Sequence, residues 1–268
     1  MEELFAGNSD RITRAYFDSL LLEMRHIDGR IPDTTFCLYG KTFDTPIMTA
    51  ALSHLDHLRP DSMAELARGA AMAKAVNWVG MGEKEELEKI TKVPAQTIKI
   101  IKPYADNQMI FDKIAHAEKC GCLAVGIDID HAFDSTGQYD NIHGHAMSSK
   151  SLEELKEFAS STSLPFIVKG VLSERDAYQC LSAGAGGIVV SHHHGIMDYA
   201  IPPLMILPDI LRAVNREIPV FVDCGIASGM DAFKALALGA TAVCTGRAVM
   251  PSLKENGADD LHLKGSAP

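Results

Sequence analysis

Eight short apolar runs, alternating along the chain with amphipathic stretches, predict an α/β protein: a (β/α)8 TIM barrel carrying an N-terminal helical extension. Three observations support this. The runs are almost continuously apolar, as strands of a parallel sheet covered on its outer face must be. The stretches between them have helical spacing, several opened by Ser or Asp and closed by Gly. Finally, eight strand–helix units within about 200 residues match one closed barrel. At 268 residues and 47% hydrophobic, the chain can bury one large core in a single domain. An open doubly wound sheet is the rival arrangement of the same units.

In order, residues 1–45 read as an N-terminal helical segment, with a helix near RITRAYFDSLLLEMRHI expected to plug or flank the barrel bottom, and 46–268 as the barrel itself. The strand candidates are PIMTAAL (46–52), NWVGMG (77–82), QTIKIIK (96–102), LAVGIDID (123–130), PFIVKG (165–170), GGIVVSH (186–192), IPVFVDCG (218–225) and TAVCTGR (241–247). Between them lie helical patterns such as DSMAELARGAAMAKA, MIFDKIAHAEKC, SLEELKEFAS, SERDAYQCLSAG and GMDAFKALALG.

Charge and composition narrow the function. A formal charge of −10 with no Lys/Arg cluster argues against nucleic acid or an anionic membrane as partner and leaves small molecules. No run of 18 apolar residues occurs and the N-terminus is acidic and polar, so neither a membrane span nor a signal peptide is indicated and a cytoplasmic protein is expected. The six cysteines form no CxxC pair and read as reduced core residues.

Chemistry in such a barrel gathers where strands end. Those ends carry Ser53, His54, Lys99, Lys102, Asp128, Asp130, Lys169, Ser191 to His194, Asp223 to Gly225, Gly246 and Arg247. So many ionisable groups suit a polar ligand, although Asp128 and Asp130 also read as turn caps and Lys102 as solvated. Two of the ends resemble a phosphate grip. The loop DCGIASG leads into a helix and TGR ends the eighth run, so glycines, a helix N-terminus and the Arg247 fork meet at the loops where this fold usually seats phosphate.

The segments KGVLSERDA, AGAGGIVVSHHHG and PVFVDCGIASGMDAFKALALGATAVCTGR resemble the FMN-dependent 2-hydroxy-acid oxidase and dehydrogenase family, which includes glycolate and lactate oxidases. The resemblance is close over 165–250 and looser but collinear over 46–130. It implies an FMN oxidoreductase acting on a CH–OH group. Lys169 takes the place of a lysine at the flavin N1/O2 edge. Asp223, Gly225, Gly246 and Arg247 take the phosphate site, and Ala50, Ala51, Lys99, Asp128 and Ser191 the surroundings of the ring. Asp128 would accept from a ring N–H, with Lys99 keeping it ionised.

The same comparison gives the three consecutive histidines a role. In the family a strand-six histidine takes the substrate proton and an aspartate, here Asp130, orients it. Anchoring on Ser191 selects His193 and anchoring on Gly195 selects His194; strand register favours His193. Imidazole titrates near neutrality, as such a base requires. A metal site is disfavoured, because neighbouring strand residues face opposite ways and no HExxH or Cys/His spacing is present.

The sequence also departs from the family. Its strand-seven-loop arginine is replaced within Ala227 and Ser228, neither carboxylate-binding arginine is present, and a tyrosine becomes Ile101; Lys102, His131 and Arg25 are the available substitutes. A barrel that binds flavin or a phosphate ligand but has lost this oxidation is therefore the alternative reading. The short stretch after GRAVMP predicts a short eighth helix and, with it, a homo-oligomer.

Overall fold

The computed structural model describes residues 8–261. Helix α1 (Ser9–Ser19) is followed by a hairpin, β1 (Phe36–Leu38) and β2 (Lys41–Phe43), turned by Tyr39 and Gly40 at φ 48° and 75°. Positive φ at both turn positions is the twist a two-residue hairpin needs.

Strand–helix alternation then begins: β3 (Ile47–Thr49), α2 (Ser62–Met72), β4 (Asn77–Val79), α3 (Lys84–Ile90), β5 (Thr97–Ile101), α4 (Asn107–Lys119) and β6 (Ala124–Asp128). A small hairpin, β7 (Asn141–Ile142) and β8 (His145–Ala146), interrupts it. The alternation resumes with α5 (Leu152–Ser160), β9 (Phe166–Val171), α6 (Glu174–Ser182), β10 (Gly187–Val190), α7 (Pro203–Ala213), β11 (Val220–Val222), α8 (Gly229–Leu238), β12 (Ala242–Thr245) and α9 (Met250–Asn256). The eight barrel strands are parallel, in the order β3-β12-β11-β10-β9-β6-β5-β4. The ring closes where Leu52 bridges Val79 in parallel and the Thr49 N–H donates to the Val76 carbonyl at 3.3 Å. All eight predicted strands are present, so the closed barrel holds and the open sheet does not.

Period-two alternation separates two cores. Met48, Trp78, Ile98, Ile100, Ile167, Val189 and Phe221 point into the barrel, while Val79, Ile101, Val168, Ile188 and Val190 point out to the helices. Three helix starts follow the predicted caps, since Ser151 with Glu154 forms a capping box and Ser173 and Ser228 each accept from the third helical N–H, whereas Asp61 before α2 makes no side-chain cap bond.

Three expectations need correction. The first helix stops at Ser19, and Leu21, Met24 and Ile27 beyond it are exposed. It also lies at the C-terminal rim rather than the bottom, where Phe17 is buried beside Gly225. The bottom is plugged by the hairpin instead: Leu38 and Phe43 join the interior core, and the Tyr39 hydroxyl donates to the Gly186 carbonyl at 2.9 Å. Among the cysteines, Cys122, Cys180 and Cys244 are buried, whereas Cys37 is exposed and Cys224 stands in a cavity wall.

The eighth helix is short as expected, with seven residues. A following 3-10 turn brings Leu261 against α2, so close that a Cβ at Gly69 would meet its Cδ1 at 2.5 Å. Among the described residues no helix is long and apolar enough to cross a membrane.

Candidate active site

A cavity of about 820 Å³ opens at the C-terminal ends of the barrel strands. On the barrel axis its floor is Lys169, from β9. The ammonium lies 3.2 Å from Asp128 Oδ1, 3.6 Å from Asp130 Oδ2 and 3.6 Å from Asp223 Oδ2, and donates to Ser191 Oγ at 3.3 Å. Burial opposes its charge, but the three carboxylates outweigh burial and hold it well above the usual lysine range. Asp128 is held well below the usual carboxylate range: burial works against the charge, and Lys169, His193 and Lys102 overcome it. Asp130 is pushed up, by burial and by Asp128 beside it. Asp130 fits only because residue 170 is glycine at φ 96°, where a Cβ would fall 2.5 Å from its Cγ.

The three histidines take three different roles. His192 is buried; its Nδ1 accepts the Gly195 N–H at 2.9 Å, so Nε2 carries the proton it donates to Thr13 Oγ1 of α1, also at 2.9 Å. His193 Nδ1 lies 2.9 Å from Asp130 Oδ1 and 3.3 Å from Asp128 Oδ2, which leaves Nε2 for chemistry at the cavity it lines. Burial disfavours its charge, yet the two carboxylates prevail and raise it to about 9. His194, half-exposed, pairs through Nδ1 with Asp10 Oδ2 at 2.6 Å. The pairing with Asp130 therefore belongs to His193, but not because of strand register. Strand β10 ends at Val190, and His193 and His194 both adopt left-handed backbone at φ 47° and 58°.

The far end of the cavity is built by the loop between β11 and α8, by Gly246 and Arg247 after β12, and by α1. Cys224 and Gly225 turn the loop at φ 61° and 92°. Asp231 in the first turn of α8 accepts from the Ala227 N–H at 3.1 Å, the Ser228 hydroxyl at 2.9 Å and Arg14 at 2.9 Å. Arg247 reaches Asp10 at 3.2 Å.

Of the residues singled out in the sequence, Ala50, Ala51, Lys169, His193, His194, Asp223, Gly225, Gly246 and Arg247 line this one cavity. Asp128, Asp130 and Ser191 stand immediately behind Lys169 and His193. Lys99 does not reach the cavity: it is buried and donates to the Gly80 carbonyl, and burial lowers it to about 8. The cations that keep Asp128 ionised are instead Lys169, at 3.2 Å, His193, and Lys102 at 2.7 Å. Arg25 is exposed and pairs with Glu23. Asp128, Asp130 and His193 also bring ligand-type atoms within 4.8 Å of one another, and the Lys169 ammonium stands against that cluster, 3.2 Å from Asp128 and 3.6 Å from Asp130. Asp10, Thr13 and Arg14 were missed because α1 was assigned to the wrong end of the barrel. His143 was missed because nothing in its neighbours signalled that β7 and β8 would carry it to the cavity, where its ring meets that of His54 at 4.9 Å.

A barrel whose top holds an Asp–His pair over a buried lysine, with Arg247 after β12 and Arg14 of α1 at the far end of the cavity, has the parts of a cofactor-dependent enzyme that moves protons. Comparison with known proteins specifies which. The profile of the FMN-dependent dehydrogenase family matches residues 5–151 and 134–262. Glycolate oxidase of Spinacia oleracea is 29% identical over 94% of this chain and 77% of its own length. 4-Hydroxymandelate oxidase of Amycolatopsis orientalis is 30% identical over 85% of this chain and 73% of its own. Among solved structures, mandelate oxidase with 3,3-difluoro-2-hydroxy-3-phenylpropionic acid superposes with a TM-score of 0.86 at 28% identity, covering 97% of this chain and 85% of that one. A mandelate oxidase variant with a monooxide FMN adduct gives 0.84 at 28%, covering 96% and 82%. The chain belongs to the FMN-dependent dehydrogenase family. It is an FMN-dependent oxidoreductase acting on CH–OH groups.

The residues fit that cofactor: the cavity has the volume of a cofactor site, with a fixed ammonium at one end and two arginines at the other.

Proposed function

We propose that the chain oxidises a small 2-hydroxy acid, with His193 as the base. The observation that carries this is the 2.9 Å contact between His193 Nδ1 and Asp130, which commits one ring nitrogen and leaves Nε2 to take a proton from the substrate's carbinol group. Asp130 and Asp128 stabilise the imidazolium that results. Bound FMN supplies the acceptor for the two electrons released as the alcohol becomes a carbonyl. Lys169 provides a fixed positive charge on the cavity floor for negative charge that develops there.

The substrate carboxylate takes Lys102 and His131 as partners. Both line the cavity, and the His131 ring packs edge-on to His193 at 4.5 Å. Burial and the neighbouring Lys102 and His193 lower His131 to about 4, so its ring is neutral with Nδ1 facing Asp140 Oδ2 at 3.0 Å, and Lys102 carries the charge that meets the carboxylate. These groups stand in for the two arginines that the family uses and this sequence lacks. Self-association belongs to the same reading, supported by the exposed apolar side chains Leu21, Met24, Ile27 and Ile31.

Flavin absorption of the FMN-loaded protein, mixed anaerobically with a panel of 2-hydroxy acids, tests the proposal. At least one acid bleaches the wild-type spectrum. A protein that holds FMN and is bleached by none of them overturns the substrate class.

A further inference from the structure

Helix α1 places Asp10, Thr13, Arg14 and Phe17 on one side, at the i, i+3, i+4, i+7 spacing of a helix face. Phe17 anchors that face, since it is fully buried against Gly225. Thr13 ties it to His192 at 2.9 Å. Asp10, Thr13 and Arg14 then form part of the cavity wall, beside Ala227 and Arg247.

Arg14 is held in place from two sides. Its Nε donates to Asp18 at 2.9 Å and its Nη2 to Asp231 at 2.9 Å. Asp231 is buried and kept ionised: burial opposes its charge, and Arg14, Ser228 and the Ala227 amide overcome it. Among the described residues Nη1 makes no hydrogen bond, so one nitrogen of the fork is uncommitted in a residue that lines the cavity. The loop beside it carries Ala227 and Ser228, where the family resemblance has an arginine.

We propose that Arg14 is the second phosphate-binding guanidinium of this protein, delivered from α1 in place of the missing loop arginine, so that Arg14 and Arg247 together hold the FMN phosphate. The inference rests on the FMN site described above. The charges facing this end are accounted for. Asp231 spends its charge on two α8-loop donors and Arg14, and Asp18 is largely exposed. Asp10 retains His194 as partner when phosphate takes Arg247. Guanidinium suits the task because its planar fork pairs with phosphate oxygens and stays charged at any working pH.

The test is titration of the flavin-free full-length chain with FMN and with riboflavin, which lacks the phosphate, read by quenching of flavin fluorescence. In Arg14→Gln, FMN affinity falls by about 10- to 100-fold, whereas riboflavin affinity changes less than about threefold, and adding Ala227→Arg to that variant restores most of the loss. Unchanged FMN affinity, or an equal loss for both flavins, overturns the proposal, the second result showing that Arg14 only braces α1. If Arg14→Gln does not fold, Arg14→Lys keeps the pairing with Asp231 and loses the fork. It then weakens FMN selectively; equal binding of both flavins at wild-type strength overturns the proposal. Failure of the wild type to bind either flavin is a different outcome, which sinks the FMN assignment itself.

Discussion

On the barrel axis the cavity ends at Lys169, 6% exposed and surrounded by Asp128, Asp130 and Asp223. At the α8 end it reaches Arg247, whose side chain is 56% exposed and shares one carboxylate, Asp10, with His194. The first end is complete within the protein, because each buried charge has an opposite neighbour and solvent cannot compensate if one is removed. The second end is open: Arg14 is anchored by Asp231, but Arg247 has only the shared Asp10 and gains a strong partner of its own when an anion arrives. The difference separates two tasks: the axial end holds catalytic groups in position, and the α8 end supplies binding energy.

Substitution by an uncharged residue of similar length breaks the comparison most directly. Lys169→Met strands buried carboxylates and is expected to lower the stability of the flavin-free protein by about 3–5 kcal/mol in urea unfolding. Arg247→Met is expected to cost less than about 1 kcal/mol in the same experiment, the scale of an exposed pair, while weakening FMN. Equal losses in the two variants would mean that the ends do not differ in this way.

The next contrast lies within the axial end and its rim. His193→Asn removes the base and is expected to slow flavin bleaching by substrate about 10²- to 10⁴-fold, whereas His194→Asn, a half-exposed partner of Asp10, leaves bleaching within a few fold of wild type. The pH dependence follows from the same carboxylates. With His193 raised to about 9, the free protein holds an imidazolium at neutrality, so kcat/KM should climb with pH through about 9. Stability runs the other way: the raised value contributes fully below the unfolded histidine value of about 6.5 and is lost as pH rises through about 9. Stopped-flow bleaching and urea unfolding across that range measure both effects, and a flat rate profile would show that His193 does not carry the proton.

How much of this was legible in the sequence depended on whether a residue's role was local. The strands could be read because apolar period and Gly or Ser punctuation sit within a few residues of one another, as in GGIVVSH and DCGIASG. Lys169, Asp223 and Arg247 followed, since a strand end in this fold already fixes where a side chain goes. Arg14 and His143 were not legible, because each depends on a segment outside the strand–helix repeat whose docking is decided by distant partners, Phe17 with Gly225 and Ile142 with the cavity wall. Lys99 was misassigned for a related reason. Its place on β5 was predicted correctly, but a buried amine finds whichever carbonyl is in reach, and that is Gly80. The argument from strand register did not apply to the histidines, as residues 193 and 194 lie past the strand in left-handed backbone, and it is that turn which sets His193 against Asp130.

The smallest effect sharpens what holds the axial end in place. Ser191 Oγ accepts from Lys169 at 3.3 Å and from the His193 backbone N–H at 3.1 Å, so one hydroxyl links the lysine to the left-handed turn that aims the imidazole. Ser191→Ala leaves every charge paired, because Lys169 keeps its three carboxylates. The loss is then that of ordinary hydrogen bonds, about 1 kcal/mol in unfolding, with bleaching slowed several fold as the His193 turn loosens. If Ser191→Ala instead costs as much as Lys169→Met, the axial end is held by its hydrogen bonds rather than by its matched charges, and the contrast between the two ends of the cavity must be redrawn in those terms.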